Sequence, residues 1–299
     1  MTSLSFDPVA HMYDATRGYP EAVARQVTES IERAANGNAQ TRFLEIGVGT
    51  GRIAFPLASA GHNYTGIDIS KNMLYQFEEK LRAASWQEVS LSWGSLPDEN
   101  TERKPEVQRF QQAEKQGVVR LVVSDMTDLP FHIASFDAVI AVHVFHLVSD
   151  WQQAVQEVLR VLQPGGSLIM CWQRDWTEEL NGKPAPLNIR REWNRIAQEL
   201  GAHLERPGVS AQFVMEWLQQ KGASAEIIAE VPWKQAVRPR AVLEAIEQRL
   251  WSGTWSVPDD LFATSIKRLR QWANEHYGAA IDDEHEQERV FVISRTRMM

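Results

Sequence analysis

The chain has 299 residues, 43% hydrophobic and 23% charged, enough to bury one large core or a core with a sizeable addition. Its formal charge of -8, from 39 acidic against 31 basic side chains, argues against a nucleic-acid partner, because phosphate backbones are met by clustered Lys and Arg. No stretch reaches the ~20 apolar residues that cross a bilayer, and Cys171, the only cysteine, excludes an internal disulfide. The start of the chain lacks the basic residues and apolar run of a secretory signal, so a cytoplasmic location is expected.

Residues 1–40 precede the first strand and read as a strap or lid. Phe43 to Ile46 reads as a strand, followed by a helix through Ile53, Ala54, Leu57 and Ala58. Asn63 to Ile67 is the next strand and Lys71 to Ala84 the next helix. Residues 85–117 are polar and charged, with Pro97 and Pro105, and read as a surface insertion, either partly helical around Val107 to Ala113 or mobile. Val118 to Val123 and Phe136 to Val142 are two more β-rich runs. From Trp151 to Leu162 the apolar positions Ala154, Val155, Val158, Leu159 and Leu162 recur at helical spacing. Pro164-Gly165-Gly166 then turns the chain into a strand from Ser167 to Trp172. Residues 175–285 are helix-rich and hold many tryptophans, with Ala225 to Val231 and Arg289 to Arg295 as late strands.

Alternating strands and helices predict an α/β fold with a mostly parallel sheet covered on both faces. Ligands of such sheets bind at the carboxyl ends of the strands, near the point where strand order reverses.

Three motifs fall at such ends. Leu44-Glu45-Ile46-Gly47-Val48-Gly49-Thr50-Gly51-Arg52 leaves a strand and enters a helix, where glycine lets the backbone turn and approach a ligand. A dinucleotide fingerprint needs a small residue where this chain has Arg52. Glu45, just before the glycines, repels a pyrophosphate and suits a cation. A ligand with a positive amine or sulfonium therefore fits better than a nicotinamide dinucleotide. In Gly66-Ile67-Asp68-Ile69-Ser70, Asp68 is placed to accept hydrogen bonds from both hydroxyls of a ribose, or else to cap a helix. In Ser124-Asp125-Met126-Thr127, Asp125 is placed to accept from an adenine amino group with Met126 against the ring, or else to make a turn.

With these motifs in order, over about residues 10 to 172, the chain resembles the class I S-adenosylmethionine-dependent methyltransferases, in particular the group of ubiquinone and menaquinone C-methyltransferases. The stretches that carry the resemblance are LEIGVGTGR, GIDISKNML, VVSDMTDLPF with FDAVIAVHVFHLV, and EVLRVLQPGG. It implies one Rossmann-like methyltransferase domain over residues 1–299, with a seven-stranded sheet in the order 3-2-1-4-5-7-6, the last strand antiparallel. A helix-rich cap on the acceptor side falls at residues 175–285. It implies S-adenosylmethionine as cofactor, with Gly47, Gly49 and Gly51 along its methionine part and Glu45 near its amine. Asp68 falls to the ribose, Ile69 and Met73 to the adenosine, Asp125 and Met126 to the adenine, and His143 to the opposite side. In the N-terminal segment Tyr13 is placed to face the sulfonium and Arg17 to pair with the carboxylate, unless the segment is only a surface strap.

The implied reaction is methyl transfer to a small-molecule acceptor; the alternative is a regulatory protein that binds the cofactor without transfer. Holding the acceptor close to the methyl group and excluding water is most of the task. A general base is needed only for an acceptor that must lose a proton, and His146, of the Phe145-His146 pair, is the candidate. The tryptophans suggest either core packing or a pocket for an aromatic or lipophilic acceptor, with Trp172, Trp176 and Trp251 singled out. Cys171, in an apolar run, reads as a buried hydrophobe, and no metal ligands are assigned.

Overall fold

The computed structural model describes residues 4–14, 18–89, 107–112, 117–175, 186, 188–204 and 206–298. A 3-10 turn over Asp7–Met12 leads to α1 (Glu21–Ala35), β1 (Arg42–Ile46), α2 (Ala54–Ser59), β2 (Asn63–Asp68) and α3 (Lys71–Ala83). Then come β3 (Gln87–Glu88), β4 (Val107–Gln111), β5 (Val118–Val123), β6 (Phe136–Val142), α4 (Trp151–Val161) and β7 (Leu162–Asp175). The remainder is α5 (Asn188–Glu199), α6 (Ala211–Gln220), β8 (Ser224–Val237), α7 (Pro239–Glu247), α8 (Asp259–Tyr277) and β9 (His285–Arg297).

The sheet follows the order β3-β4-β5-β2-β1-β6-β7-β9-β8. Pairing is parallel from β5 through β2, β1 and β6 to β7. Two features correct the expectation. The sheet has nine strands rather than seven, and Val107–Gln111 is a strand rather than a helix. β4 pairs antiparallel with β5, Phe110 opposite Val119, and β3 adds on beyond it. An unpaired strand edge offers a row of backbone donors and acceptors, and β4 satisfies them while burying Phe110 completely. A five-residue Val-Gln-Arg-Phe-Gln segment is too short for periodicity to tell strand from helix. From β5 outward to β8 the run keeps the order that the resemblance implies.

The described chain divides into two compact units. The first comprises residues 1–172, 207–231 and 291–299, and the second residues 173–206 and 232–290. In the first, side chains alternate across the strands. Leu44 and Ile46 face a cluster with Ile67, Val139 and Met170 that α4 covers through Ala154, Val155 and Val158, and α6 through Val214 and Leu218. Phe43 lies on the other side, stacked on Tyr64 with ring centres 5.9 Å apart.

In the second unit α5, α7 and α8 enclose their own core of Ile189, Trp193, Ile196, Val242, Ile246, Phe262, Ile266 and Leu269. The buried Trp193 indole donates to Ser265 Oγ at 2.9 Å, which satisfies the one polar atom that a tryptophan takes inside. No described helix is long and apolar enough to cross a membrane.

Candidate functional site

The parallel register brings the sequence motifs to one row of strand ends. Ile46 of β1 is paired with Ile67 of β2 and with Ala141 of β6, and Asp68 of β2 with Val123 of β5. The glycine turn, Asp68, the Ser124-Asp125 step and His143 therefore leave adjacent strands at the same level. β1 is central, and the chain proceeds to β2 on one side and later to β6 on the other, so the row lies at a topological switch point.

Gly47, Gly49 and Gly51 have φ of 69°, 55° and 76°, the left-handed region where a side chain strains the backbone. Space is short as well. A Cβ on Gly47 would meet Val144 at 2.4 Å, and one on Gly51 would meet the Phe77 ring at 2.3 Å. Asp68 closes the turn: its Oδ2 accepts from the Gly49 amide and its Oδ1 from the Ser70 amide, both at 2.8 Å. The helix cap is not Asp68 but Ser70, whose hydroxyl accepts from the Met73 amide at 3.0 Å. Asp68 is half-buried. Burial raises its pKa to about 6, with the Ser70 and Gly49 amides opposing that rise. Met73 is buried with its methyl group against Gly49, and Ile69 beside it is exposed.

Glu45 is enclosed beside the glycine turn. It is 2% exposed and its Oε2 accepts from the Tyr64 hydroxyl at 2.7 Å. Burial raises its pKa to about 8, against the Tyr64 hydrogen bond and the charge of Arg52. The Arg52 guanidinium lies over the Tyr19 ring, 4.5 Å from its centre. Cys171 is fully buried, and desolvation pushes its thiol far above the ordinary range.

At the end of β5, Asp125 Oδ1 accepts from the Thr127 amide and hydroxyl at 3.0 and 2.9 Å, so it does form a turn. Met126 packs against the core cluster of the first unit. This loop is clamped from α4. Glu157 accepts from the Leu129 amide at 2.8 Å, and Arg160 donates to the Phe131 and Leu129 carbonyls at 2.6 and 2.8 Å. The EVLR stretch thereby positions the Asp125 loop, a role its sequence does not announce.

His143 ends β6 with φ of 53°, an unusual conformation for a residue with a Cβ. Its ring meets Phe291 edge-on at 6.4 Å. His146 lies in the 3-10 turn Phe145–Leu147 that follows. That turn is pinned by Gly208, whose amide donates to the His146 carbonyl at 3.3 Å while Val209 donates to that of Phe145 at 3.2 Å.

The N-terminal segment lies on the same row of loops. Asp7 Oδ1 accepts from Ser70 Oγ at 2.5 Å and from the Asn72 amide at 3.0 Å. Burial opposes the Asp7 charge, but hydrogen bonds from Ser70, Asn72 and Ser5 outweigh it and hold its pKa below the usual carboxylate value. Asp14 accepts from Thr50 Oγ1 at 2.6 Å and pairs with Lys80 at 2.5 Å, while Lys80 also donates to the Thr50 carbonyl at 2.8 Å. Tyr13 is half-buried with its ring edge-on to Phe6 at 5.8 Å. Arg17 and Trp176 lie outside the described residues. Sequence reasoning missed Asp7, Asp14, Lys80 and Gly208; of these only Asp14 sits beside a residue it had singled out, Tyr13.

The tryptophans mostly fill cores. Trp193 and Trp233 are buried, Trp172 packs against the core of the first unit, and Trp251 packs on that of the second with the Arg190 guanidinium 4.7 Å above its ring.

Comparison with known proteins gives a consistent result. Residues 44–170 match a family described as a methyltransferase domain. A demethylmenaquinone methyltransferase of Clavibacter sepedonicus is 26% identical over 73% of this chain and 73% of its own. A ubiquinone/menaquinone biosynthesis C-methyltransferase of Geotalea daltonii is 26% identical over 55% of this chain and 60% of its own. Among solved structures, the YcgJ protein of Bacillus subtilis superposes with a TM-score of 0.53 at 15% identity, over 92% of this chain and 99% of that one, which speaks to the fold alone.

Proposed function

We propose that the chain is a class I S-adenosylmethionine-dependent methyltransferase, as the matched methyltransferase domain and the similar C-methyltransferases support, that its glycine turn and Asp68 hold S-adenosylmethionine, and that the acceptor is a small molecule. The observation that carries this reading is Asp68 bound to the Gly49 amide at the switch point of the sheet. The residues fit such a cofactor: a carboxylate at Asp68 for ribose hydroxyls, a second carboxyl at Glu45, and a glycine turn whose backbone lies open to close approach.

In this reading Asp68 accepts from the ribose and the glycine backbone lies along the amino-acid part. Asp125 and Met126 flank the adenine on the loop that Glu157 and Arg160 clamp. Glu45 acts on the amine from beneath the turn, one of its oxygens being held by Tyr64. Tyr13 and His143 approach from the strap and from the strained end of β6. When bound, the cofactor supplies a methyl group on a positively charged sulfur. The strap excludes water, and His146 takes a proton from acceptors that must lose one. An aromatic or lipophilic acceptor remains part of the proposal through Trp172 of the first unit.

The test is acceptor-dependent release of S-adenosylhomocysteine from S-adenosylmethionine, screened over pooled small molecules. The expected outcome is turnover with at least one pool that Asp68→Asn reduces tenfold or more. Turnover untouched by that substitution contradicts the assignment.

A further inference from the structure

Among its described residues, the second unit holds a row of buried polar atoms without a hydrogen-bond partner. The ion pairs Lys234–Glu286 (2.6 Å) and Arg238–Glu284 (2.7 Å) link β8 and β9 on their exposed face, with numbers rising on one strand as they fall on the other. The strands are thus antiparallel here, and the alternate residues Gln235 and Val237 on β8 and His285 and Gln287 on β9 point to the opposite face. On that face Gln235 and His285 are neighbours, with Gln287 one step further along β9. Gln287 is 3% exposed, and both its amide oxygen and its amide nitrogen lack a partner. Gln235 Oε1 and His285 Nε2 are buried without partners in the same way, as is Asn188 Oδ1 at the first residue of α5. Native interiors rarely leave such atoms unmatched, because burying a polar group without a hydrogen bond costs stability. Three or more on one strand pair point to a missing partner.

We propose that this face of β8 and β9, through Gln235, His285 and Gln287, binds a neutral small molecule that carries hydroxyl or carboxamide groups. The chemistry selects the class. Gln235 Oε1 and Gln287 Oε1 require donors, whereas Gln287 Nε2 requires an acceptor, and His285 Nε2 serves either role with its tautomer. A hydroxyl or a carboxamide offers both in one group. A carboxylate has no hydrogen for the two glutamine oxygens, a phosphate dianion brings charge that is costly to bury, and a hydrocarbon satisfies none of them. This site goes beyond the methyl-transfer reading and stands without it.

The test is ligand-detected saturation-transfer NMR on the full chain, with sorbitol and gluconamide as probes and 1-hexanol as the apolar counterpart. Wild type is expected to transfer saturation to sorbitol and gluconamide at least fivefold more strongly than to 1-hexanol. Gln287→Leu and Gln235→Leu are each expected to reduce the polar signal at least fivefold, with a Tm equal to or above wild type because an orphaned amide is gone. The substitutions lie on different strands, so one that fails to fold leaves the other to report. S-adenosylhomocysteine titrated in parallel should bind all three proteins within twofold; its failure to bind wild type speaks against the cofactor reading and leaves the probe result intact. Equal polar signals in wild type and the folded variants, or a lower Tm with the signal unchanged, overturns the proposal in favour of internal water.

Discussion

Asp14 of the N-terminal segment accepts a hydrogen bond from Thr50 Oγ1, 2.6 Å away inside the glycine turn, and shares Lys80 with the Thr50 carbonyl. The N-terminal segment is therefore tied to the glycine turn that we propose as the cofactor site. Asp14 and Lys80 are both partly solvent-exposed, so the ion pair itself is worth about 1 kcal/mol or less. Asp14→Ala is expected to leave Tm nearly unchanged, to weaken S-adenosylhomocysteine about three- to tenfold, and to speed proteolysis near residue 15. Calorimetry and limited digestion followed by mass spectrometry check both. An unchanged affinity would detach the strap from the site.

The Glu45 carboxyl gives a pH signature. Its folded pKa of about 8 lies above the ordinary 4.5 because the group is buried. Between those values the folded state binds more protons than the unfolded chain, so stability is complete below the lower value and declines as pH rises through the higher. Asp68, raised from 3.8 to about 6, acts in the same direction over a lower window. Ligand-free Tm is expected to fall from pH 5 to pH 9, and Glu45→Gln should flatten the part above pH 6. Thermal melts in constant ionic strength measure this, and an identical slope in the variant speaks against a neutral buried Glu45.

Gly208 has no freedom to become alanine. A Cβ there would stand 2.0 Å from the Phe145 carbonyl oxygen and 2.3 Å from that of Val148, both backbone atoms. Gly208→Ala should lower stability by at least about 2 kcal/mol, several degrees in Tm, and disturb the turn that carries His146. Gly253→Ala, with open space around it, is the control and should stay within about 0.5 kcal/mol of wild type.

His146 is assigned as a general base, so its removal should act on kcat rather than on cofactor affinity. For an acceptor that must lose a proton, His146→Ala is expected to lower kcat by roughly 10²–10⁴ and to erase the acidic limb of the pH–rate profile. Affinity for S-adenosylhomocysteine should stay within twofold. Full activity in the variant reduces His146 to a packing residue.

Much of the central sheet was legible because its signals are local. Three glycines at alternate positions after Leu44-Glu45-Ile46, and an acid at Asp68 about a strand later, are written in short stretches of sequence. Geometry answers the cap and turn questions alone: Ser70 does the capping in place of Asp68, and Asp125 makes a turn. What stayed hidden depends on distant partners. Val107–Gln111 is a strand because the β5 edge stands beside it, and nothing in five residues records that edge. Gly208 looks like any loop glycine until the Phe145 carbonyl is brought against it. Glu45 stands next to the glycines in sequence, but its hydrogen bond to Tyr64, nineteen residues away, is set by the pairing of β1 with β2 and is not written in the motif.

The most direct test of the central claim is calorimetric titration of S-adenosylhomocysteine into the wild-type chain and into Asp68→Asn. The account predicts binding at micromolar Kd to wild type and at least tenfold weaker binding to the variant, about 1.4 kcal/mol, with both proteins melting as folded. No heat of binding to folded wild type, or equal affinity in the two proteins, would contradict it.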